Sequence, residues 1–333
     1  MTRKEFSQVF DGFDNMNILV IGDVMIDSYL WGNVSRISPE APVPIISTSD
    51  REDRLGGAAN VALNIQSLGA TPILCSVVGK DDAGGIFHQL LKKRKLPADG
   101  IISSSKRQTT VKTRIISQNQ HLLRVDEEED KPLSEELEQK LQDHIASLLE
   151  SYRIDAIIFE DYDKGTLTPS SISYTIQLAN EKGIPTLVDP KKRNFMDYRE
   201  VTFFKPNLKE FLEGCKLELN PDNQSEMLAA GKDFLKQQQF NNLMVTMARR
   251  GVMIIDKQSY HFIPAEIRNI ADVSGAGDTV ISVSALCLAS GLQSEYVAAI
   301  ANMAGGLVCE HSGVVPIDKQ ELMEECLMKL AKQ

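Results

Sequence analysis

The sequence contains no long hydrophobic run and no excess of positive charge. No apolar run approaches the roughly 20 residues that a membrane-spanning helix needs, and the start, Met1 to Glu5, lacks the apolar core of a signal peptide. Lys and Arg number 36 against 46 Asp and Glu, which gives a formal net charge of -10. Acidic surfaces do not neutralise nucleic-acid phosphates or attract anionic lipid headgroups. The composition therefore predicts a cytoplasmic protein that binds neither nucleic acid nor a membrane.

Cysteine and histidine are also scarce, with five of each among 333 residues. The cysteines are scattered, and most of them lie in apolar runs. This pattern favours buried free thiols over disulfides or a metal centre. The histidines show no metal-ligand spacing. The cysteines are Cys75, Cys215, Cys287, Cys309 and Cys326.

Three common nucleotide-binding signatures are absent. The chain has no G-x-x-x-x-G-K-[ST], no G-x-G-x-x-G after its first apolar strand, and no catalytic-loop H-R-D. These absences exclude a P-loop enzyme and a protein kinase. They also disfavour a dinucleotide-dependent oxidoreductase, which stays open as a rival class.

Short apolar runs alternate with amphipathic helical stretches along the chain. Continuous apolar strands between helices indicate an α/β fold in which a mostly parallel sheet is covered on both faces. Ligands of such sheets bind beyond the carboxyl ends of the strands, where Asp189 and its neighbours lie. The predicted strands are Ile18–Ile21, Ile73–Val78, Ala156–Phe159, Thr186–Val188, Val201–Phe204 and Leu243–Thr246.

Two segments break the alternation, at about residues 34–55 and 108–126. The first contains three prolines and a short β-like run, and the second alternates in strand fashion around a turn at Gln118, Asn119 and Gln120. We interpret both as a small β-sheet lid that projects from the binding edge. The alternative is a pair of edge hairpins without motion. The sequence shows no internal repeat or low-complexity linker, so we expect one domain over residues 14–333.

The stretch Asp272 to Asp278 is a glycine-rich turn that opens into an apolar helical run. Amides at a helix start are unpaired and carry partial positive charge, so Gly275, Ala276 and Gly277 can bind a phosphate. A carboxylate in such a site is explained if a hydroxyl must be deprotonated beside the phosphate that it attacks. The turn therefore predicts phosphoryl transfer to an alcohol, with Asp278 as the general base, ionised at pH 7 because of the helix start.

The pair Gly56-Gly57, followed by Asn60, and the carboxylate Asp27 are candidates for binding the acceptor. Paired glycines let the backbone approach a ligand closely, and Asn60 in a first helical turn can bond a hydroxyl. Asp27 precedes Tyr29-Leu30-Trp31, which we interpret as a pocket wall. The alternative for the glycines is close packing at a helix start.

Asn207 and Glu210 lie three residues apart at a predicted helix start. Such a pair can orient the waters of a phosphate-bound Mg²⁺. The same spacing is also that of an N-cap with its capping box, and the sequence does not separate the two interpretations.

Basic residues are concentrated on the binding edge and on the lid, which is unusual in an acidic protein. They fit a substrate that already carries a phosphate, although solubility alone explains some of them. Asp189, two residues before Lys191 in the sequence, is a further candidate for binding this substrate. The set comprises Arg36, Lys112, Arg114, Arg124, Lys164, Lys191, Lys192 and Arg193.

Three motifs together resemble one enzyme family. Residues 272–279 resemble the ATP-side signature of the PfkB (ribokinase-like) carbohydrate kinases, residues 56–60 their sugar-side signature, and Asn207-x-x-Glu210 their metal and phosphate motif. The likeness runs from about Asn17 to Pro316. It implies a ribokinase-like three-layer α/β/α fold, ATP and Mg²⁺ as cofactors, and a homodimer formed through the lid sheet.

The resemblance also implies where ATP and its ions bind. Adenine is expected near Thr246, Gly251 and Asn302, and Asn207 is expected on the phosphate side. By the same analogy Asp272 helps to place a monovalent cation, K⁺, behind the phosphate loop.

Within the family, several stretches resemble kinases that act on a heptose 7-phosphate. The likeness implies phosphorylation of the anomeric hydroxyl of D-glycero-D-manno-heptose 7-phosphate to the 1,7-bisphosphate, a precursor of lipopolysaccharide. Rival interpretations are a family member that acts on another sugar or a nucleoside, and a non-catalytic sugar-phosphate-binding regulator. The stretches are residues 34–44, 110–114, 122–126 and 161–165.

Overall fold

A computed structural model describes residues 1–118, 120–266 and 268–331. Asn119 of the predicted turn and the last two residues of the predicted domain lie outside the described residues. The strands are β1 (Asn17–Gly22), β2 (Val24–Ile37), β3 (Pro44–Gly57), β4 (Thr71–Gly79), β5 (Ile101–Ser104), β6 (Val111–Ser117), β7 (Gln120–Glu127), β8 (Ala156–Glu160), β9 (Thr186–Asp189), β10 (Phe203–Phe204), β11 (Asn242–Thr246), β12 (Val252–Asp256) and β13 (Tyr260–Ile263). The helices are α1 (Arg3–Gly12), α2 (Ala58–Ser67), α3 (Asp82–Lys93), α4 (Glu135–Ser151), α5 (Pro169–Lys182), α6 (Leu208–Gly214), α7 (Gln224–Gln238), α8 (Ala276–Ala289), α9 (Ser294–Val308) and α10 (Lys319–Lys329).

The main sheet of the described chain has the strand order β13-β12-β11-β10-β9-β8-β1-β4-β5. Its strands are parallel except at one edge, where β12 is antiparallel to both β11 and β13. The prediction of a mostly parallel sheet is confirmed. The predicted strand Val201–Phe204 is shorter than expected, because the amides of Thr186 and Thr202 bond to each other's hydroxyls and interrupt the ladder there.

Two apolar cores cover the two faces of this sheet. Successive residues of β1 alternate between them, with Ile18 and Val20 in one core and Leu19 and Ile21 in the other. This is the two-residue period of a strand that is buried on both faces. Helices α2, α8 and α9 pack on the first face, whereas α4, α5 and α7 pack on the second. Because α8 is buried nearly all round, its start is fixed firmly against the sheet.

The second sheet has four strands in the order β3-β2-β6-β7. It contains the two predicted lid segments, but β2 begins at Val24, ten residues earlier than expected. The aromatic stretch that we interpreted as a pocket wall is therefore part of a lid strand. Asp27 of β2 lies between Arg54 of β3 and Lys112 of β6. That this sheet closes over a substrate stays a prediction, as does the division of residues 14–333 into one domain with two inserted segments.

None of the helices in the described part of the chain is both long enough and apolar enough to cross a bilayer.

Candidate active site

The carboxyl ends of three neighbouring strands meet beneath the start of α8. Asp189 follows the apolar part of β9 and Lys205 follows β10, and their side chains form a buried ion pair of 2.8 Å between Oδ2 and Nζ. A Cβ placed on Gly277 would lie 3.5 Å from Asp189 Oδ2 and 3.8 Å from Lys205 Nζ. The phosphate-binding turn predicted from the sequence therefore lies directly over a buried pair of opposite charges.

The turn itself owes its shape to Gly275, which precedes α8 in the left-handed conformation with φ of 80°. A Cβ there would approach Val314 to 3.0 Å and the Asn60 amide nitrogen to 3.2 Å. The amide of Ala276 donates to the Val273 carbonyl at 3.3 Å, so it is the least available of the three predicted phosphate-binding amides. Gly277 is exposed and leaves its side of the turn open to a ligand.

Asp278 lies in the first turn of α8 and is buried. The side-chain amide of Asn60 donates to one carboxylate oxygen at 2.6 Å, and the Tyr162 hydroxyl donates to the other at 2.9 Å. Burial raises the pKa of Asp278 to about 6, although the bonds from Asn60 and Tyr162 lower it. The helix start is thus not the dominant influence that we expected. Asp278 still remains mostly ionised at pH 7, by about ten to one.

Replacing Tyr162 by Phe is expected to move the acid limb of kcat/KM to higher pH. The wild-type limb should lie near the Asp278 pKa of about 6, because the base must be ionised. Loss of a hydrogen bond of about 1 kcal/mol to the carboxylate should raise the limb by roughly half to one pH unit. The control is Tyr152→Phe, which removes a hydroxyl that bonds Asp99. A limb that stays in place in Tyr162→Phe would contradict this role.

Tyr162 is held in place by a buried carboxylate. Asp23 is 1% exposed and accepts hydrogen bonds from the amides of Tyr162 at 2.9 Å, Lys164 at 3.0 Å and Thr166 at 3.0 Å. These three bonds give the Asp23 carboxylate a scaffolding role. The loop that carries Tyr162 and Lys164 is fixed by Asp23.

The paired glycines serve a close approach between protein segments. A Cβ on Gly56 would lie 2.2 Å from Asp27 Oδ2, and one on Gly57 would lie 2.4 Å from the Asp23 carbonyl oxygen. Gly57 also has φ of 60°, a conformation that favours glycine. The glycines thus bring Asp27 and Asn60 to the same edge. Their predicted contact with a substrate stays a prediction.

The predicted phosphate-binding residues of the lid and the Asp23-held loop are already paired with carboxylates. Lys112 bonds Glu128 at 2.8 Å and Asp126 at 3.3 Å, and Lys164 bonds Glu128 at 2.8 Å. Arg124 bonds Asp126 at 2.9 Å. These carboxylates, Asp126 and Glu128, belong to an acidic segment at the end of β7. Its carboxylates in fact offset most of the positive charge that we assigned to substrate binding.

Arg114, another basic candidate on the lid, forms an ion pair of 2.5 Å with Asp27. The two side chains are mostly buried, with exposed fractions of 20% and 10%. Their pairing orients the Asp27 carboxylate at the base of the lid.

Asn207 and Glu210 form the capping box that was one of the two interpretations. Glu210 N donates to Asn207 Oδ1 at 2.9 Å, and Asn207 N donates to Glu210 Oε2 at 2.8 Å. Glu210 Oε1 also accepts from Lys191 Nζ at 2.6 Å. Burial opposes the charge on Lys191, but Asp189 and Glu210 outweigh it and raise the pKa of Lys191.

The capping box does not prevent Asn207 and Glu210 from orienting a hydrated Mg²⁺. Each Glu210 oxygen keeps a lone pair beyond the bond it already accepts, and carboxylate oxygens suit the waters around this ion. Among the described residues, no group of three or more His, Cys, Asp and Glu side chains is arranged to hold a metal directly. The residues present therefore fit an ion that is bound through water.

Two of the predicted adenine-side residues, Gly251 and Asn302, meet at one segment. A Cβ on Gly251, which has φ of 83°, would contact the Ile263 carbonyl oxygen and residue 264. Asn302 donates to the carbonyl oxygen of Pro264 at 2.9 Å. Thr246 ends β11 and forms a parallel bridge with Asn207.

Asp272 closes the loop before α8. Its carboxylate accepts from Ser274 N at 2.9 Å and from Gly313 N at 3.1 Å. Burial acts against the charge, but these amides hold the pKa of Asp272 below its usual value. Both carboxylate oxygens thus bond backbone amides, and the proposed role in placing a monovalent cation stays a prediction.

Glu160 ends β8 on the same face of the sheet as Asp189 and Lys205. It is 1% exposed, and among the described residues its Oε2 atom finds no hydrogen-bond partner. Burial and the neighbouring carboxylates of Asp189 and Asp278 raise the pKa of Glu160 well above its usual value. These surroundings favour the protonated form of Glu160 in the floor of the site.

Three residues of this site were not selected from the sequence. Lys205 and Glu160 occupy the ends of β10 and β8, in the same position as Asp189 at the end of β9, and that shared position was the available signal. Tyr162 gave no comparable signal, because its contact with Asp278 joins residues 116 positions apart.

Comparison with known proteins places this geometry in a family. A sequence profile described as pfkB family carbohydrate kinase matches residues 15–320. The bifunctional protein HldE of Pelobacter propionicus is 36% identical over 324 residues, which cover 97% of this chain and 66% of that protein. Its counterpart in Methylobacillus flagellatus is 39% identical over 314 residues, covering 94% and 64%. The chain thus spans just under two thirds of these curated relatives.

Solved structures share the fold at low sequence identity. Phosphofructokinase-2 from Escherichia coli in complex with potassium has a TM-score of 0.77 at 16% identity, over 95% of this chain and 99% of the other. Ribokinase of Arabidopsis thaliana complexed with ribose and ATP has a TM-score of 0.72 at 15% identity, over 95% and 99%. These matches confirm the predicted ribokinase-like fold.

Proposed function

Since this chain belongs to the pfkB family of carbohydrate kinases and is therefore an ATP-dependent sugar kinase, we propose that its acceptor is D-glycero-D-manno-heptose 7-phosphate. The anomeric hydroxyl would receive the γ-phosphoryl group of ATP, which yields the 1,7-bisphosphate. The observation that carries the reaction is the buried carboxylate of Asp278, held by Asn60 and Tyr162 beside the turn at Gly275 to Gly277. The stretches at residues 34–44 and 161–165 support the choice of sugar.

The residues of the site divide the work of the reaction. Asp278 accepts the proton of the attacking hydroxyl, and Asn60 and Tyr162 keep its carboxylate in one orientation. The amides of Gly275 and Gly277 stabilise the charge that spreads over the transferred phosphoryl group.

The remaining groups of the site balance charge and exclude water. Lys205 lies beneath the turn and offsets part of the carboxylate charge. The family implies ATP with a divalent metal; we propose that this is Mg²⁺, oriented through water by Asn207 and Glu210, and that it would offset phosphate charge when bound. The second sheet closes over the sugar and excludes water, which otherwise competes as the nucleophile.

The test is ATP consumption across a panel of acceptors. The panel contains heptose 7-phosphate, the free heptose, other hexose phosphates and a nucleoside, and phosphorus NMR identifies the product. Turnover with heptose 7-phosphate that exceeds all others by at least tenfold is the expected result. Faster turnover of another acceptor would replace the substrate, and sugar-phosphate binding without any turnover would identify a regulator instead.

We also propose that the chain forms a homodimer through the outer face of the lid sheet. Leu30, Ile115 and Leu123 lie in register across three strands on the face opposite to Asp27, which is an arrangement that buries well against a second copy. Exposed large apolar residues are concentrated on this sheet. They are Val34, Ile37, Val43, Leu122, Leu123 and Val125.

Replacing Leu123 by Glu is expected to convert the dimer into a monomer in sedimentation velocity, because a charge would be buried in an apolar interface. Leu123 is 58% exposed in the single chain, so its folding should be unaffected. Met328→Glu, at a 77% exposed position of α10, is the matched control and should stay dimeric. Identical sedimentation of both variants and the wild type would contradict the interface.

A further inference from the structure

A pocket opens between the inner face of the lid and the ends of two helices. Asp27, Tyr29 and Arg54 line it from the lid, Asn60 lines it from α2, and Arg94 lines it from the end of α3. Asn60 also donates to Asp278 at 2.6 Å. The pocket is therefore one side chain away from the base, on the side where a bound sugar would extend.

The inner face of the lid carries two arginines on either side of an aromatic ring. Arg54 lies with its guanidinium carbon 4.8 Å from the Tyr29 ring centroid, and Arg114 lies 5.3 Å from the same centroid. The register explains this, since Tyr29 pairs with Arg114 across β6 and Arg54 lies opposite Asp27 on β3. Stacking on a ring preorganises a guanidinium while its N–H groups stay free to bond.

The two arginines that line the pocket differ from Lys112 and Lys164 in the groups that they already contact. Within the described chain, Arg54 bonds only Glu52 at 2.6 Å, and that carboxylate is 45% exposed, so an entering anion can displace it at little cost. Within the described residues, the guanidinium of Arg94 forms no ion pair or hydrogen bond, and the residue is exposed. Lys112 and Lys164, in contrast, share the mostly buried Glu128. Among the residues that line this pocket, the positive charge most available to an entering anion therefore lies at Arg54 and Arg94.

We propose that Arg54 and Arg94 bind the phosphate group that the substrate already carries. This inference rests on the proposed function, because it assumes an acceptor whose reacting hydroxyl lies at Asp278. The sugar would lie between this phosphate group and Asp278, against Asp27 and Asn60. Guanidinium groups suit the assignment because they bond phosphate oxygens in pairs. The role predicted from the sequence for Lys112 and Lys164 thus passes to two arginines that were not predicted.

Kinetics of Arg54→Gln and Arg94→Gln test the assignment. Each variant should raise KM for the 7-phosphorylated heptose by about 10- to 100-fold, as expected for the loss of a charge-assisted bond, and should change kcat little. KM for the free heptose should stay within about twofold, because it has no phosphate to lose. Arg51→Gln is the matched control on the same strand, since Arg51 is 56% exposed and pairs only loosely with Asp53. Equal losses for both sugars, or a larger loss in Lys112→Gln or Lys164→Gln, would overturn the assignment.

Binding without ATP separates this inference from the choice of substrate. Thermal unfolding is followed with inorganic phosphate, heptose 7-phosphate and glucose 6-phosphate. If a sugar phosphate stabilises the wild type against thermal unfolding but does not stabilise Arg94→Gln, the subsite is supported, even if heptose 7-phosphate is not turned over. If none of the three ligands stabilises the wild type, the subsite is refuted. Arg94 is exposed, so this variant carries the test even where Arg54→Gln does not fold.

Discussion

Asp278→Asn is expected to lower kcat by about 10² to 10⁴ while ATP binding is retained. The variant keeps the shape of the side chain but removes the group that takes the proton of the attacking hydroxyl. It also disturbs the local bonding, because Asn60 already donates to this side chain at 2.6 Å and an amide presents only one acceptor oxygen. The loss should therefore combine the missing base with a misplaced side chain. Single-turnover measurements at saturating acceptor determine the chemical step, and nucleotide titration determines the ATP affinity.

The control for this variant is Asp143→Asn. Asp143 lies on the exposed side of α4 and accepts a hydrogen bond from Gln139 at 2.9 Å. The Asp143→Asn variant should leave kcat unchanged, and this result would exclude a general effect of the reduced negative charge. If Asp278→Asn turned over within tenfold of the wild type, another group would have to accept the proton.

Lys205→Met is expected to lower the free energy of unfolding by about 3–5 kcal/mol, because it leaves a buried carboxylate without its partner. Lys205 is 2% exposed and Asp189 is 5% exposed. The acidic groups Glu160 and Asp278 lie beside the same pair and add negative charge around Asp189, whereas Lys191, the other cation near Asp189, already pairs with Glu210. Urea unfolding monitored by circular dichroism measures the loss. The same variant should bind ATP more weakly, since Lys205 lies beneath Gly277.

Two companion variants make this prediction specific. Lys209→Met removes a lysine that is 81% exposed and 3.8 Å from Glu213, and it should cost less than about 1 kcal/mol. The double variant Asp189→Asn, Lys205→Met should recover much of the stability, because neither buried charge remains. A Lys205→Met protein as stable as Lys209→Met would show that the pair contributes little.

Much of the fold follows from local patterns in the sequence. The apolar runs of β1, β4, β8, β9 and β11 are continuous because both faces of the sheet are buried, so they stand out without any knowledge of their neighbours. The turn before α8 is equally local, since glycine at Gly275 is required by a positive φ. Such features are encoded within a few residues. Their prediction therefore succeeds.

The partners of charged residues could not be predicted in the same way. Glu128 and Lys164 are 36 residues apart, and Asn60 and Asp278 are 218 residues apart. The sequence shows each charge but not the opposite charge that the fold brings to it. For this reason the lid lysines looked free to bind phosphate, whereas Arg54 and Arg94 were not distinguished from surface residues. Asp278 stays mostly ionised at pH 7 as predicted, but the dominant influence on its pKa was not predictable for a related reason, because burial is a property of the assembled core.

The direct passage from β1 into β2 has a mechanical consequence. Only Asp23 separates β1 of the large sheet from β2, the first strand of the small sheet. Any movement of the small sheet relative to the large one would act on the backbone around this residue, whose carboxylate also anchors the loop that carries Tyr162. Movement of the small sheet and the basicity of Asp278 would then both depend on Asp23, because Tyr162 bonds Asp278. In such an enzyme, Tyr162 would bond Asp278 correctly only when the small sheet has closed over an acceptor. Without an acceptor, Asp278 would not activate water, and ATP would be protected from hydrolysis.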